Sequence, residues 1–202
     1  MLAKYSFLEG FDTRLDNAVT VSQVLGAVKD MADIPGLKHA VYYLHDVPKH
    51  ADKSPIALLT YPDEWISRYY EANYLPVDPV VAEGMRGLIP VDWQKLPRAS
   101  SKVQSLFGEA IEHGIGSQGV TLTLRGPQGE TALFTVTSDL DTKDWNELRK
   151  TLLPGLNMAA FLIHQRVMDL AARSPAMKTP HLTPRELDCL LYCAHPSASR
   201  LL

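Results

Sequence analysis

Asp78 is the residue on which binding chemistry in this chain turns, because the sequence around it supplies hydrogen-bond donors carried on apolar rings. From Tyr61 to Trp93 the chain reads YPDEWISRYYEANYLPVDPVVAEGMRGLIPVDW, which holds six of its Trp and Tyr residues: Tyr61, Trp65, Tyr69, Tyr70, Tyr74 and Trp93. Phenol O–H, indole N–H and carboxylate groups converging on an apolar wall are what a site needs to hold an amphiphile with a small polar head. Core packing alone accounts for buried aromatics. It does not account for the acid, which is costly to bury unless it accepts hydrogen bonds. A helix-capping role satisfies Asp78 only in part, and a ligand amide N–H would supply a further partner.

Other chemistries find little support. His39, His45 and His50 lack metal-ligand spacing and have no nearby Cys, so no metal site is expected. No Gly-x-Ser-x-Gly motif occurs, no catalytic residue is assigned, and the chain reads as a non-enzyme without a cofactor. Gly126 and Gly129 fall in a hairpin turn and not in a phosphate loop. The only cysteines, Cys189 and Cys193, lie four apart on an expected helix and suit reduced thiols. A composition of 46% hydrophobic and 21% charged residues is that of an ordinary globular chain. The net charge of −3 gives no footprint for nucleic acid over the whole chain. With neither a membrane-spanning run nor the apolar core of a signal peptide, a cytoplasmic location and no membrane partner are expected.

The elements that must position these residues follow from periodicity. Pro62 suits a first helical position, after which Trp65 and Tyr69 share a helix face. Asp78-Pro79 reads as N-cap and first residue of a second short helix through Val80, Val81 and Met85. Trp93 follows an extended Ile89–Asp92 run. Earlier, Tyr5, Phe7, Leu8 and Phe11 suggest a short helix, and Val21, Val24, Leu25, Val28 and Met31 a longer one ended by Pro35-Gly36. Strands are expected over 39–45 and 56–60. Ser101 is the expected N-cap of a helix with Val103, Leu106, Phe107, Ala110 and Ile111 on its core face. Strands over 119–125 and 131–138 are joined by Gly126-Pro127-Gln128-Gly129, a tight hairpin. The helical stretch over 142–173 is expected to break or kink near Leu153, because Pro154 removes a backbone donor. Its apolar stripe is a candidate dimerisation face, with His164 at the surface or an interface. The fold class is α+β: an antiparallel sheet with helices on both faces.

The pattern Tyr61, Trp65, Tyr69, Asp78-Pro79 and Trp93, with Gly119 on a later strand and Leu182-Thr183-Pro184-Arg185-Glu186 near the end, resembles the LuxR family of quorum-sensing regulators. That resemblance implies an α-β-α sandwich binding an acyl-homoserine lactone over 1–173, a linker over 174–181, and over 182–202 the start of a helix-turn-helix domain. It assigns Asp78 as acceptor for the ligand amide N–H and Tyr61 as donor to the amide carbonyl. Tyr69 and Trp93 become walls, and the indole donor to the lactone carbonyl is either Trp65 or Trp93. Thr135 aligns with a hydroxyl used for a further contact, and Thr121 is a second candidate of that kind. The acyl chain is placed against Val41, Tyr43 and Leu88, with about 0.8 kcal/mol per buried methylene.

Thr183, Pro184 and Glu186 form a capping-box start, with Leu187, Leu190, Leu191 and Ala194 as the helix's apolar face. After Ala194 the chain reads HPSASRLL, where the family pattern continues into scaffold and recognition helices. The helix-turn-helix is therefore read as truncated, with DNA a partner only where the remaining elements are present. The expected protein partner is a second copy or a full-length LuxR-type regulator. In the latter case the chain would act as a ligand-independent antiactivator, leaving the dimer one reading head.

Overall fold

The computed structural model describes residues 6–45 and 55–173. The expected linker and helix-turn-helix start, like Tyr5, lie outside the described residues. Six helices, α1 (Phe11–Asp16), α2 (Val21–Ala32), α3 (Asp63–Glu71), α4 (Pro79–Arg86), α5 (Ser101–Glu112) and α6 (Thr142–Arg173), flank five strands: β1 (His39–Leu44), β2 (Ile56–Leu59), β3 (Val91–Asp92), β4 (Gln118–Arg125) and β5 (Thr131–Ser138). The strands form one sheet in the order β2-β1-β5-β4-β3, antiparallel at every pairing. The expected hairpin joins β4 to β5, with Gly129 at φ 90° donating to the Gly126 carbonyl. A side chain at that φ is strained, which is why glycine closes the turn.

Strand alternation divides the interior. Ala40, Tyr42 and Leu44 of β1, Val120, Leu122 and Leu124 of β4, and Ala132, Phe134 and Val136 of β5 turn one way, into a core with α1, α2 and α6. Intervening residues turn the other way, toward a second apolar cluster built from Trp65, Tyr74, Val80, Trp93, Leu106 and Phe107. The sandwich is thus three layers, with α3, α4 and α5 covering the second face. Local signals set the helix starts: Gln23 accepts from the Val19 and Thr20 amides ahead of α2, and at α5 the cap is Ser100 and not the expected Ser101, its hydroxyl accepting from the Val103 amide.

Several expectations change, among them the start of α3, where Pro62 is the N-cap and Asp63 the first helical residue. Helix α6 runs 32 residues through Pro154 without interruption. Leu152, Leu156, Ala159, Ala160, Ile163 and Val167 are buried along it, so packing offsets the lost backbone bond, and the Asn157 amide donates to the Leu153 carbonyl. His164 is only 6% exposed, its Nδ1 hydrogen-bonded to the Tyr42 hydroxyl at 2.8 Å. Ile111 is exposed, at the margin of its helix's apolar stripe. The extended run before Trp93 shortens to Val91–Asp92, and Trp93 itself opens a 3-10 turn whose first amides include Gln94 N–H, held by the Asp92 carboxylate.

Candidate ligand-binding site

Between the second face of the sheet and α3, α4 and α5 lies a cavity of about 230 Å³. Six of the seven residues expected at a binding site line it: Tyr61, Trp65, Tyr69, Asp78, Trp93 and Thr135. Val41 and Tyr43 line it as well, whereas Leu88 is 78% exposed on the loop after α4 and takes no part. Thr121, the seventh, is fully buried but does not line the cavity. It sits behind Trp93, accepting from the indole N–H at 3.1 Å and paired with the Thr135 hydroxyl at 2.8 Å.

Each polar group has a local reason for its place. Asp78 is the N-cap of α4, taking the Val80 amide on Oδ1 at 2.8 Å, and Pro79 at the first helical position fits because that position needs no donor. The Tyr69 hydroxyl, from the last turns of α3, donates to Oδ2 at 2.7 Å. Asp78 is 8% exposed, and among the described residues no basic side chain pairs with it. Burial pushes its carboxyl up, and the Tyr69 and Val80 hydrogen bonds offset part of that. Burial, together with the Asp78 charge, also drives the Tyr61 and Tyr69 phenols far above their ordinary range, so both stay protonated donors.

Two of the donors on its inner wall have no partner among the described residues. Among the described residues, neither the Tyr61 hydroxyl nor the Trp65 indole N–H makes a hydrogen bond. Their rings are nonetheless held. Tyr61 packs edge-on against His39 at 5.4 Å, and Trp65 lies against Tyr69, Tyr74 and His113 with centroids 5.6 to 6.2 Å apart. The Trp93 indole is fixed on both sides, edge-on to Phe107 at 6.1 Å and over Gly119, where a Cβ would come within 2.5–2.8 Å of the indole.

A carboxylate offers about four acceptor positions, and two on Asp78 are used by the protein. Unsatisfied donors on fixed rings beside such an acceptor, inside a mostly apolar hollow, suit a neutral amide- or ester-bearing head with an apolar tail. Periodicity assigned Leu106, Phe107 and Ala110 of α5 to a core face, and all three line the cavity. An apolar stripe does not distinguish a filled interior from a hollow one.

A family model described as the autoinducer binding domain matches residues 20–167. The chain belongs to the autoinducer-binding family of LuxR-type regulators. It is 41% identical over 145 residues to the transcriptional activator protein RaiR of Rhizobium etli, an overlap covering 72% of this chain and 60% of that protein. It is 28% identical over 144 residues to the quorum sensing-dependent transcriptional regulator VjbR of Brucella abortus, covering 68% and 55% respectively. The chain therefore spans little more than half the length of these relatives. Among solved structures, the N-acylhomoserine lactone-dependent LuxR-family factor CepR2 of Burkholderia cenocepacia superposes with a TM-score of 0.66 at 20% identity, covering 85% of this chain and 99% of that one. That likeness confirms the α+β sandwich. The family's members are quorum-sensing transcriptional regulators, not enzymes. Among the described residues, no helix is long and apolar enough to cross a membrane.

Proposed function

We propose that this chain senses an acyl-homoserine lactone, with residues 1–173 forming the binding domain, 174–181 a linker, and 182–202 the opening of a DNA-binding module. The observation that carries the reading is a pair of donors with no partner among the described residues, Tyr61 O–H and Trp65 N–H, beside the buried acceptor Asp78. Asp78 takes the ligand's amide N–H, Tyr61 donates to the amide carbonyl, and Tyr69 orients the carboxylate. Of the two indoles, Trp65 is the donor to the lactone carbonyl, since the Trp93 N–H is engaged by Thr121. Trp93 and Phe107 wall the head group, Thr135 offers a hydroxyl to the acyl chain, and apolar side chains of the sheet and α5 hold the remainder. No step is chemical. Occupancy stabilises the folded domain and so sets how much regulator, dimeric and joined to a helix-turn-helix, is competent to read DNA.

Mass spectrometry of small molecules that co-purify with the protein, followed by thermal unfolding with N-hexanoyl-, N-octanoyl- and N-dodecanoyl-homoserine lactone, tests the proposal. At a hundredfold excess over Kd the ligand contributes about 2.7 kcal/mol, or about 5–10 °C for a chain of this size. No shift with any of the three, and no acyl lactone in the extract, overturns it.

A further inference from the structure

Helix α4 carries Asp78 at one end and is fastened to the sheet at the other. The Thr123 hydroxyl of β4 donates to the Gly84 carbonyl at 2.8 Å, and the Arg125 guanidinium donates to the Met85 carbonyl and, at 3.5 Å, to that of Gly87. These are the last carbonyls of a helix, which have no acceptor role within it. Gly84 lets the helix lie close, because a Cβ there would come within 2.7 Å of the Leu133 side chain. Leu133 is paired across the strands with Thr123 and itself lines the cavity. At eight residues α4 is about 12 Å long, so it is too short to bend and moves as one piece.

We infer that Thr123 and Arg125 are positioning residues for Asp78, acting through α4 and touching no ligand themselves. Neither lines the cavity. Freed at its C-terminal end, the helix tilts on its N-cap and admits water to the carboxylate, which among the titratable groups of the described residues is faced by the Tyr69 and Tyr61 phenols. Hydration removes what holds the carboxyl above its ordinary range. The inference rests on the binding role proposed for Asp78 only where ligand affinity is concerned, and its first test needs no ligand.

The test follows the Asp78 carboxyl by carbon NMR as pH is varied, the signal being identified by its loss in Asp78→Asn, in the full chain with nothing added. Thr123→Val is expected to move the titration down toward an ordinary aspartate, and Thr123→Ser to restore it. Where Thr123→Val does not fold, Arg125→Gln, a change at an exposed side chain, carries the same measurement. An unmoved titration overturns the inference. The second arm measures Kd for N-octanoyl-homoserine lactone, where Thr123→Val is expected to lose affinity roughly tenfold, about one hydrogen bond. In an Asp78→Asn background that loss is expected to vanish. An equal loss in both backgrounds indicates general structural damage and also overturns the inference. If no lactone binds the unaltered protein, the proposed function fails while the titration still decides the role of Thr123.

Discussion

The Trp93 indole N–H ends on the Thr121 hydroxyl, 3.1 Å away and one layer behind the cavity wall. Trp93 is therefore committed as a wall whose only free surface is its ring. The hydroxyl that holds it passes on to Thr135, so the indole, Thr121 and Thr135 form one connected chain of hydrogen bonds running from the wall to the cavity lining. Replacing Thr121 by Val strands a buried indole donor, a cost of about 1–3 kcal/mol that denaturant unfolding will register.

Asp78→Asn separates stability from binding. The folded-state carboxyl is raised above its ordinary value of 3.8, so its contribution to stability is present below that value and is lost as pH rises through the folded value. At neutral pH the ionised group thus works against the unliganded fold. Asn keeps the shape and the Val80 cap without the charge. Unfolding at pH 7 is expected to show a more stable unliganded protein, and thermal shift a reduced lactone response.

Tyr61→Phe and Tyr69→Phe remove the same atom with different consequences. The Tyr61 hydroxyl has no protein partner among the described residues, so its loss leaves the fold unchanged or up to about 1 kcal/mol more stable while ligand affinity falls roughly tenfold. The Tyr69 hydroxyl serves Asp78, and its loss costs about 1–3 kcal/mol in the unliganded protein. Paired denaturation and binding measurements distinguish the two.

Gly119→Ala places a methyl group where the Trp93 indole lies. Overpacking of this kind costs about 1–3 kcal/mol. The indole must shift, so Trp fluorescence is expected to change along with the unfolding midpoint.

His164 predicts an acid limit. Burial lowers its pKa below the ordinary 6.5, with the nearby Glu130 carboxylate opposing the shift. Its Nδ1 meets Tyr42, and Nε2 lies 3.9 Å from the Glu130 carboxylate without a hydrogen-bond partner among the described residues. A depressed histidine contributes stability that is present above 6.5 and lost as pH falls through the folded value. His164→Gln is expected to flatten the fall in stability below pH 6.5, measured by urea unfolding at stepped pH.

Most of the architecture was legible in the sequence because local signals and tertiary demands agree. Period-two runs became β1, β4 and β5, Gly126 to Gly129 became the hairpin, and Asp78-Pro79 became the cap of α4. The aromatic spacing located Tyr61, Trp65, Tyr69 and Trp93 around Asp78, and Thr135 came only from the family resemblance. What escaped depends on contacts distant in the chain. Pro154 stays helical because of what α6 buries, and His164 is buried because Tyr42, 122 positions away, is there to meet it. Leu88 and Ile111 show the reverse, apolar side chains that lie exposed at the surface. Thr121 and Thr135 are paired across β4 and β5 and share a face of the sheet, so it is the Trp93 indole bonded to Thr121 that leaves only Thr135 bordering the hollow.

The two sides of the sheet differ in kind. One is solid with its own side chains against α1, α2 and α6, and the other encloses a hollow beneath α3, α4 and α5. Because β1, β4 and β5 belong to both, successive residues such as Phe134 and Thr135 sit back to back, one anchored in the solid half and one bordering the hollow. The strands that border the hollow are thus the ones whose reverse packs against α6, so the lining of one half and the support of the other are set by the same backbone.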